Sequence, residues 1–136
     1  MGISQWFEPQ ARLERKFKRL GPWITKFTIN GKAYGGWFDA MNDVRVDQFT
    51  AAFPNVRAVL ELGSLEGGHS FALANRGASV LAIEGRSKNI KRGRFVQRVL
   101  GVKEVKFVHL NLDAQDALGI WVNSTRFIVA GFCTIL

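Results

Sequence analysis

Cysteine and histidine are scarce in this 136-residue chain, and it has no long apolar run. The lone cysteine, Cys133, excludes an internal disulfide and a cysteine-built zinc site, so no metal site is predicted. The longest apolar run, from Phe127 to Leu136, is about half of the ~18 residues that a membrane helix needs. The first residues, Met1 to Trp6, show neither a secretory signal nor a complete myristoylation motif. We therefore expect a cytoplasmic protein that does not cross a membrane.

Positive charge is what the chain has in excess. Its 19 Lys and Arg residues against 11 Asp and Glu residues give a formal charge of +8, divided between residues 12–19 and residues 86–98. Such a surface favours anionic partners, and one interpretation is a phosphate or nucleic-acid footprint. However, neither segment interleaves aromatic residues for base stacking, and no nucleic-acid-binding motif is recognisable. Solvated helix faces are the favoured interpretation, and nucleic-acid binding stays an alternative without support from a motif.

Residues 1–56 are predicted to form an extension made of helices and a hairpin. Apolar residues recur three to four positions apart between Pro9 and Leu20, which is typical of an amphipathic helix. Asn30-Gly31 suits a tight hairpin turn, because both residues tolerate a positive φ angle. A short helix is predicted from Val44 to Phe53, before a proline that would end it.

Residues 57–136 show the pattern of a partial α/β domain. A short apolar run after Arg57 lacks alternation, as in a strand buried on both faces of a parallel sheet, and a second buried run and a third strand follow it. Two helical segments separate them, and the second begins at Ser87, its expected N-cap. Strand, helix, strand, helix, strand is the order of a parallel sheet with right-handed crossovers. The predicted strands are Ala58–Leu62, Ser79–Glu84 and Val105–Leu110.

The residues that follow each predicted strand form the candidate site, because ligands of open parallel sheets bind beyond the carboxyl ends of the strands. A glycine-rich bend, residues 63–68, follows the first strand and allows a ligand to approach the backbone closely. Glu84 ends the second strand, where a carboxylate can accept two hydrogen bonds from ribose hydroxyls. Residues 111–113 follow the third. The sequence therefore predicts a nucleoside site.

The spacing of the glycines limits which nucleoside cofactor fits. The dinucleotide fingerprint G-x-G-x-x-G lacks its central glycine here, which weakens the hypothesis of a nicotinamide dehydrogenase. Glu66, beside the start of a helix, is also expected to repel a pyrophosphate. A cofactor without phosphates is favoured.

Two segments, VLELGSLEGGH at residues 59–69 and AIEGR at residues 82–86, closely resemble the first two motifs of class I S-adenosylmethionine-dependent methyltransferases. The resemblance extends through residues 107–113 and more loosely to residues 37–39. It implies a Rossmann-like fold, S-adenosylmethionine as cofactor and methyl transfer to an unidentified acceptor. In that family the acid-x-glycine turn contacts the methionine part, the acid after strand two binds the ribose, and residues after strand three line the adenine. The cofactor-binding residues implied are Glu61, Gly63, Ser64, Gly67, Glu84, Gly85, Asn111 and Asp113, and the catalytic residues are unknown.

These assignments have alternatives. The glycines could serve only a tight strand-to-helix turn, and Glu61 could pair with Arg57 or Arg86 instead of facing a ligand. His69 could touch the ligand, face solvent or cap a helix. Asp113 could be an ordinary loop carboxylate.

The chain is expected to be an incomplete member of that family, weakly active or inactive. Such domains carry seven strands over ~200 residues, and only three clear strands precede Asp113 here. Back-translation of residues 121–136 in a shifted frame permits GKFDAIYCSGLLYHL, which looks like the family's fourth strand, so we hypothesise a frameshift near Gly119. Phe127 to Leu136 could still form an apolar strand, since β-branched and aromatic residues dominate it. The uncovered sheet edge predicts self-association.

Two functions therefore remain open from the sequence. One is S-adenosylmethionine-dependent methyl transfer by descent. The other is a non-catalytic basic module that binds a nucleoside or nucleic acid and uses residues 88–98 on an acidic partner.

Overall fold

Two sheets and four α-helices make up the part of the chain that a computed structural model describes, namely residues 9–111, residue 113 and the backbone of residues 128–130. In this part, no helix combines the length and the apolarity that crossing a bilayer needs.

The predicted helix and hairpin of the N-terminal extension are confirmed. Asn30 and Gly31 take φ angles of 51° and 78°, as the tight turn between two antiparallel strands requires. The second helix is also found, with Asp43 as its N-cap. The elements are α1 (Gln10–Leu20), β1 (Lys26–Ile29), β2 (Lys32–Gly35), a 3₁₀ turn (Ala40–Asn42) and α2 (Val44–Ala52).

The predicted α/β fold with a parallel sheet is also confirmed. Its elements are β3 (Ala58–Leu62), α3 (Gly68–Asn75), β4 (Ser79–Glu84), α4 (Ser87–Leu100), β5 (Val105–His109) and β6 (Ile128–Ala130). The strand order is β5-β4-β3-β6, and every pair is parallel. One expectation for α4 is wrong: Arg86 is the N-cap, Ser87 is the first helical residue, and no side chain caps the helix start.

The side of the sheet to which the chain adds strands changes at β3. From β3 the chain adds β4 and β5 on one side, and β6 then lies on the other side of β3. Ligands bind beside the carboxyl end of the strand where such a change occurs. The bend after β3, residues 63–67, lies at this point.

β6 lies within the segment where an apolar strand was expected. The hypothesised frameshift segment is residues 120–136, and all of it except β6 lies outside the described part. In the described sheet β5 and β6 are the edge strands, and self-association through such an edge stays a prediction.

One hydrophobic core joins the N-terminal extension to the parallel sheet. The ring of Phe17 on α1 lies 4.7 Å from that of Trp23, 5.0 Å from that of Tyr34 and 5.2 Å from that of Phe95 on α4. Packing is therefore continuous across residue 57. The division into two domains at that residue stays a prediction.

Candidate functional site

The carboxylate of Glu84 points into the bend that follows β3. Its Oε2 accepts the N–H of Leu65 at 2.8 Å, and its Oε1 accepts the N–H of Arg86 at 2.8 Å. The side chain is nearly buried, since Glu84 is only 5% exposed. Each carboxylate oxygen can accept a second hydrogen bond. The carboxylate at the end of β4 is therefore held against the bend.

The two predicted glycines of the bend have different surroundings. Both are left-handed, with φ angles of 70° at Gly63 and 89° at Gly67. A Cβ at Gly67 would lie 2.6 Å from Cζ of Phe107, whereas a Cβ at Gly63 would meet no described atom within 4 Å. Packing against Phe107 therefore accounts for a glycine at position 67 without a ligand. Gly63 instead leaves open space beside the backbone.

Leu65 is the residue of the bend whose conformation the sequence did not reveal. It has a φ angle of 50°, and Asn30 is the other described non-glycine residue with a positive φ. A left-handed backbone at a leucine costs about 1–2 kcal/mol. Its N–H bond to Glu84 holds it there. The available signal was its position, where the dinucleotide fingerprint places its central glycine.

Ser64 supplies a hydroxyl group that is buried in the bend and has no partner among the described residues. The residue is 4% exposed, and its Oγ has no hydrogen-bond partner among the described atoms. Its backbone N–H donates to the carbonyl of Ile83 at 2.9 Å, which joins the bend to β4. A buried hydroxyl that lacks a partner is rare and is free to bind a ligand.

The predicted residues after β4 and β5 lie side by side. A Cβ built at Gly85 would be 3.7 Å from the carbonyl oxygen of Leu110 and 3.9 Å from Cα of Asn111. Asn111 Oδ1 accepts the N–H of Asp113 at 3.0 Å, and both residues are exposed. This side-chain-to-backbone bond orders the loop beside Gly85. The loop therefore flanks the same end of β4 as Glu84 does.

Glu61 is buried beneath the start of α3. It is 1% exposed, and Oε2 accepts a short hydrogen bond from the Ser70 hydroxyl. Burial, with a smaller contribution from the charge of Glu84, raises the pKa of Glu61 to about 8 against the lowering effect of the Ser70 bond. Among the described residues, neither Arg57 nor Arg86 forms an ion pair with it, so that alternative is wrong.

His69 connects Glu61 to the N-cap of α2. It is 6% exposed, so the solvent-facing alternative is wrong. Its Nε2 lies 2.8 Å from Asp43 Oδ2, and its Nδ1 lies 3.8 Å from Glu61 Oε1. Hydrogen bonds, first of all from Arg45, hold the pKa of Asp43 well below its usual value, while burial lowers the pKa of His69. Asp43, His69 and Glu61 come from three elements, so no local pattern showed this chain of contacts.

Glu66 fastens the N-terminal extension to the bend. It is fully buried and accepts the N–H of Ile24 at 2.9 Å, the N–H of Thr25 at 3.1 Å and the Thr25 hydroxyl at 2.7 Å. The expected repulsion of a pyrophosphate by Glu66 stays a prediction, and the structure adds that both carboxylate oxygens are bonded to residues 24 and 25. Its role in the described structure is to hold two segments together.

Glu66→Gln is expected to destabilise the fold by about 2–3 kcal/mol, because glutamine keeps one acceptor and turns an N–H₂ group toward backbone donors. Urea unfolding followed by circular dichroism measures the loss. Glu104→Gln, at an exposed residue, removes the same charge and should change stability by less than about 0.5 kcal/mol. Equal stabilities of the two variants would contradict the fastening role.

Solved structures of other proteins share this fold. The N-terminal domain of EvdMO1 with SAH bound is 32% identical, with a TM-score of 0.73, over 88% of this chain and 52% of that one. The same domain in the presence of SAH and D-fucose matches equally well. The bifunctional kinase-methyltransferase WbdD is 20% identical, with a TM-score of 0.53, over 71% of this chain and 25% of that one, and supports the fold alone.

This chain spans about half the length of the EvdMO1 domain that it matches. No protein family model and no curated protein matches it significantly.

Proposed function

Because the chain has the class I S-adenosylmethionine-dependent methyltransferase fold, we propose that it binds S-adenosylmethionine and serves methyl transfer. The fold by itself does not decide an activity, so the site has to support the proposal. The observation that carries it is the carboxylate of Glu84, which ends β4 and points into the left-handed bend after β3. The likeness to a domain with SAH bound supports the same conclusion.

The residues around the bend fit the nucleoside part of that cofactor. The free lone pairs of Glu84 would accept the ribose hydroxyls, and the buried Ser64 hydroxyl would supply a further polar contact. Open space at Gly63 would let the cofactor lie against the backbone. Gly85 and Asn111 would flank the adenine, because they lie together beyond the end of β4.

Glu84 gives the bend a negative charge, and Glu61 adds to it when its proton is released. Glu61 and Glu84 interact electrostatically, and neither forms an ion pair with an arginine or lysine among the described residues. A negative potential there attracts a positively charged ligand. S-adenosylmethionine supplies a methyl group already activated on a positively charged sulfur. The protein therefore mainly has to bind and align the reactants, and we assign no acid–base residue in the described part.

We propose a sugar hydroxyl as the methyl acceptor. D-fucose was present with the EvdMO1 domain, which makes a sugar hydroxyl the first acceptor to test. Transfer of labelled methyl groups to D-fucose would show it directly.

A matched pair of glycine variants tests the cofactor site. Gly63 and Gly101 have φ angles of 70° and 67°, and a Cβ at either would meet no described atom within 4 Å. Substitution by alanine should therefore lower the free energy of unfolding by a similar amount at both positions, about 1 kcal/mol. In calorimetric titration with S-adenosylhomocysteine, Gly63→Ala should weaken binding by about tenfold or more and Gly101→Ala should not.

Two results would overturn the proposal. One is equal affinity of the two variants for S-adenosylhomocysteine. The other is a wild-type chain that binds a short nucleic acid but not S-adenosylhomocysteine, which would favour the basic binding module.

A further inference from the structure

A cleft is lined in part by Gly85, the residue that follows β4. It has a volume of about 510 Å³ and lies between residues 22–24 and the start of α4. Cavities of this size hold small organic ligands. Trp23 forms an apolar part of its wall, and Gly85 places it next to the proposed cofactor site.

The charge that lines this cleft is positive. Arg86, Lys88 and Arg92 all line it, and no carboxylate of the described residues does. The nearest acid in sequence, Glu84, is buried and accepts the backbone N–H groups of Leu65 and Arg86. None of the three cations forms an ion pair within the described part of the chain. The cleft is therefore suited to an anion.

The start of α4 adds backbone donors to the same cleft. This helix has 14 residues, its N-cap is Arg86, and no side chain caps it. The arginine side chain carries no acceptor, and the Arg86 carbonyl accepts the N–H groups of Asn89 and Ile90. The N–H groups of Ser87 and Lys88 therefore have no acceptor among the described residues. Free N–H groups and the helix dipole together favour a bound anion, and phosphate above all.

Asn89 gives an independent sign of a missing ligand. It lines the cleft, yet the residue is only 4% exposed. Its Oδ1 accepts a hydrogen bond from Arg92 Nη1 at 3.3 Å, and since arginine only donates, the other amide atom must be nitrogen. This Nδ2 is buried and has no acceptor among the described atoms. A buried donor without an acceptor calls for a partner that the protein itself does not supply.

Arg92 is held in place before any ligand binds. Its Nε donates to the carbonyl of Leu20 at 2.6 Å, and its guanidinium lies 5.9 Å from the centre of the Trp23 ring. A fixed guanidinium binds an oxyanion at a smaller entropic cost than a mobile lysine does. Three of its five N–H donors are not used by these two residues and Asn89.

We propose that this cleft binds the phosphate group of a phosphorylated small molecule. The phosphate lies at the start of α4 between Lys88 and Arg92 and accepts a hydrogen bond from the Asn89 amide. The rest of the ligand packs against Trp23. The volume exceeds that of a bare phosphate, so the ligand is a phosphate ester, from a sugar or from a nucleotide. The site adjoins the proposed cofactor site at Gly85, but Lys88, Asn89 and Arg92 are not among the proposed cofactor contacts, so the proposal does not depend on methyl transfer.

Calorimetric titration of the full chain with paired probes tests the site. The probes are glucose 1-phosphate with glucose, uridine 5′-monophosphate with uridine, and inorganic phosphate. At least one phosphate ester should bind about tenfold more tightly than its unphosphorylated partner and more tightly than inorganic phosphate. The ester that binds best distinguishes a sugar phosphate from a nucleotide. Saturating S-adenosylhomocysteine should not displace it, so a failure of the cofactor proposal would show separately.

Two exposed lysines provide the matched variants. Lys88→Gln, in the cleft, should weaken the phosphate ester by about threefold to tenfold, and Lys103→Gln, outside it, should leave its affinity unchanged. Asn89→Leu should weaken it further, and the exposed lysine pair keeps the test decisive if that buried substitution impairs folding. Equal losses in the two lysine variants would overturn the proposal, since they would indicate general charge attraction. So would phosphate esters that bind no better than their parent compounds, or a short oligonucleotide that binds far more tightly than any monoester.

Discussion

Glu84→Gln is expected to lower the affinity for S-adenosylhomocysteine by about 100-fold. The substitution removes the charge from hydrogen bonds to the ribose hydroxyls, and charge-assisted bonds contribute about 1.5–3 kcal/mol each. It also turns an N–H₂ group toward the N–H of Leu65 or of Arg86, which both now donate to the carboxylate. Calorimetric titration of folded variant and wild type measures the loss.

A structural role of Glu84 can be separated from ribose binding. Wild type should prefer adenosine to 2′-deoxyadenosine, because only adenosine offers both hydroxyls. Glu84→Gln should lose that preference, whereas damage to the bend alone would lower both affinities and keep their ratio. Glu104→Gln, which removes an exposed carboxylate, should behave as wild type. An unchanged preference in Glu84→Gln would exclude a ribose contact.

Glu61→Gln is expected to be more stable than wild type at alkaline pH and equally stable at acidic pH. Burial raises the pKa of Glu61 from 4.5 to about 8, so the folded chain keeps a proton that the unfolded chain has lost between these values. The unfolding free energy of wild type therefore falls as pH rises from 4.5 to 8 and levels off above that range. Glutamine resembles the protonated acid and does not titrate.

The size of this effect follows from the two pKa values. Their separation corresponds to roughly 5 kcal/mol, so the advantage of Glu61→Gln should grow by several kcal/mol between pH 4 and pH 9. Urea unfolding at a series of pH values measures it, with Glu104→Gln as the charge-matched control. A constant difference between Glu61→Gln and wild type across that range would show that folding does not change the pKa of Glu61.

Glu61 is also expected to couple cofactor binding to the release of a proton. The resemblance implies that Glu61 lies near the methionine part of the ligand, which carries a positively charged amino group. That charge favours the ionised carboxylate, so binding at pH 7 should release close to one proton. Titrations with S-adenosylhomocysteine in buffers of different ionisation enthalpy count the protons. Glu61→Gln should bind more weakly and release none.

Local pattern was sufficient for most of the secondary structure. Ala58–Leu62 and Ser79–Glu84 are strands with the predicted bounds. Their mostly apolar sequences indicated them, because a strand buried on both faces does not alternate apolar and polar residues. The hairpin formed at Asn30-Gly31, whose backbone preferences suit its turn. The rule that ligands meet the carboxyl ends of parallel strands then led to Glu84 at the end of the second run.

Contacts between distant segments could not be predicted in this way. Gly63 and Gly67 look alike in the sequence, and only the position of Phe107 against Gly67 shows which of them packing requires. Glu66 was interpreted as a neighbour of the ligand, but its hydrogen bonds go to residues 24 and 25, about forty positions earlier.

The sequence established the order of strands and helices and the kinds of side chain that end each strand, because both follow from neighbours within a few residues. Only the tertiary structure showed that strands are added on both sides of β3, that His69 contacts Asp43 and that a cleft lies at the start of α4. These features depend on which side chains the core brings together, and hydrophobic periodicity carries no information about partners far away along the chain.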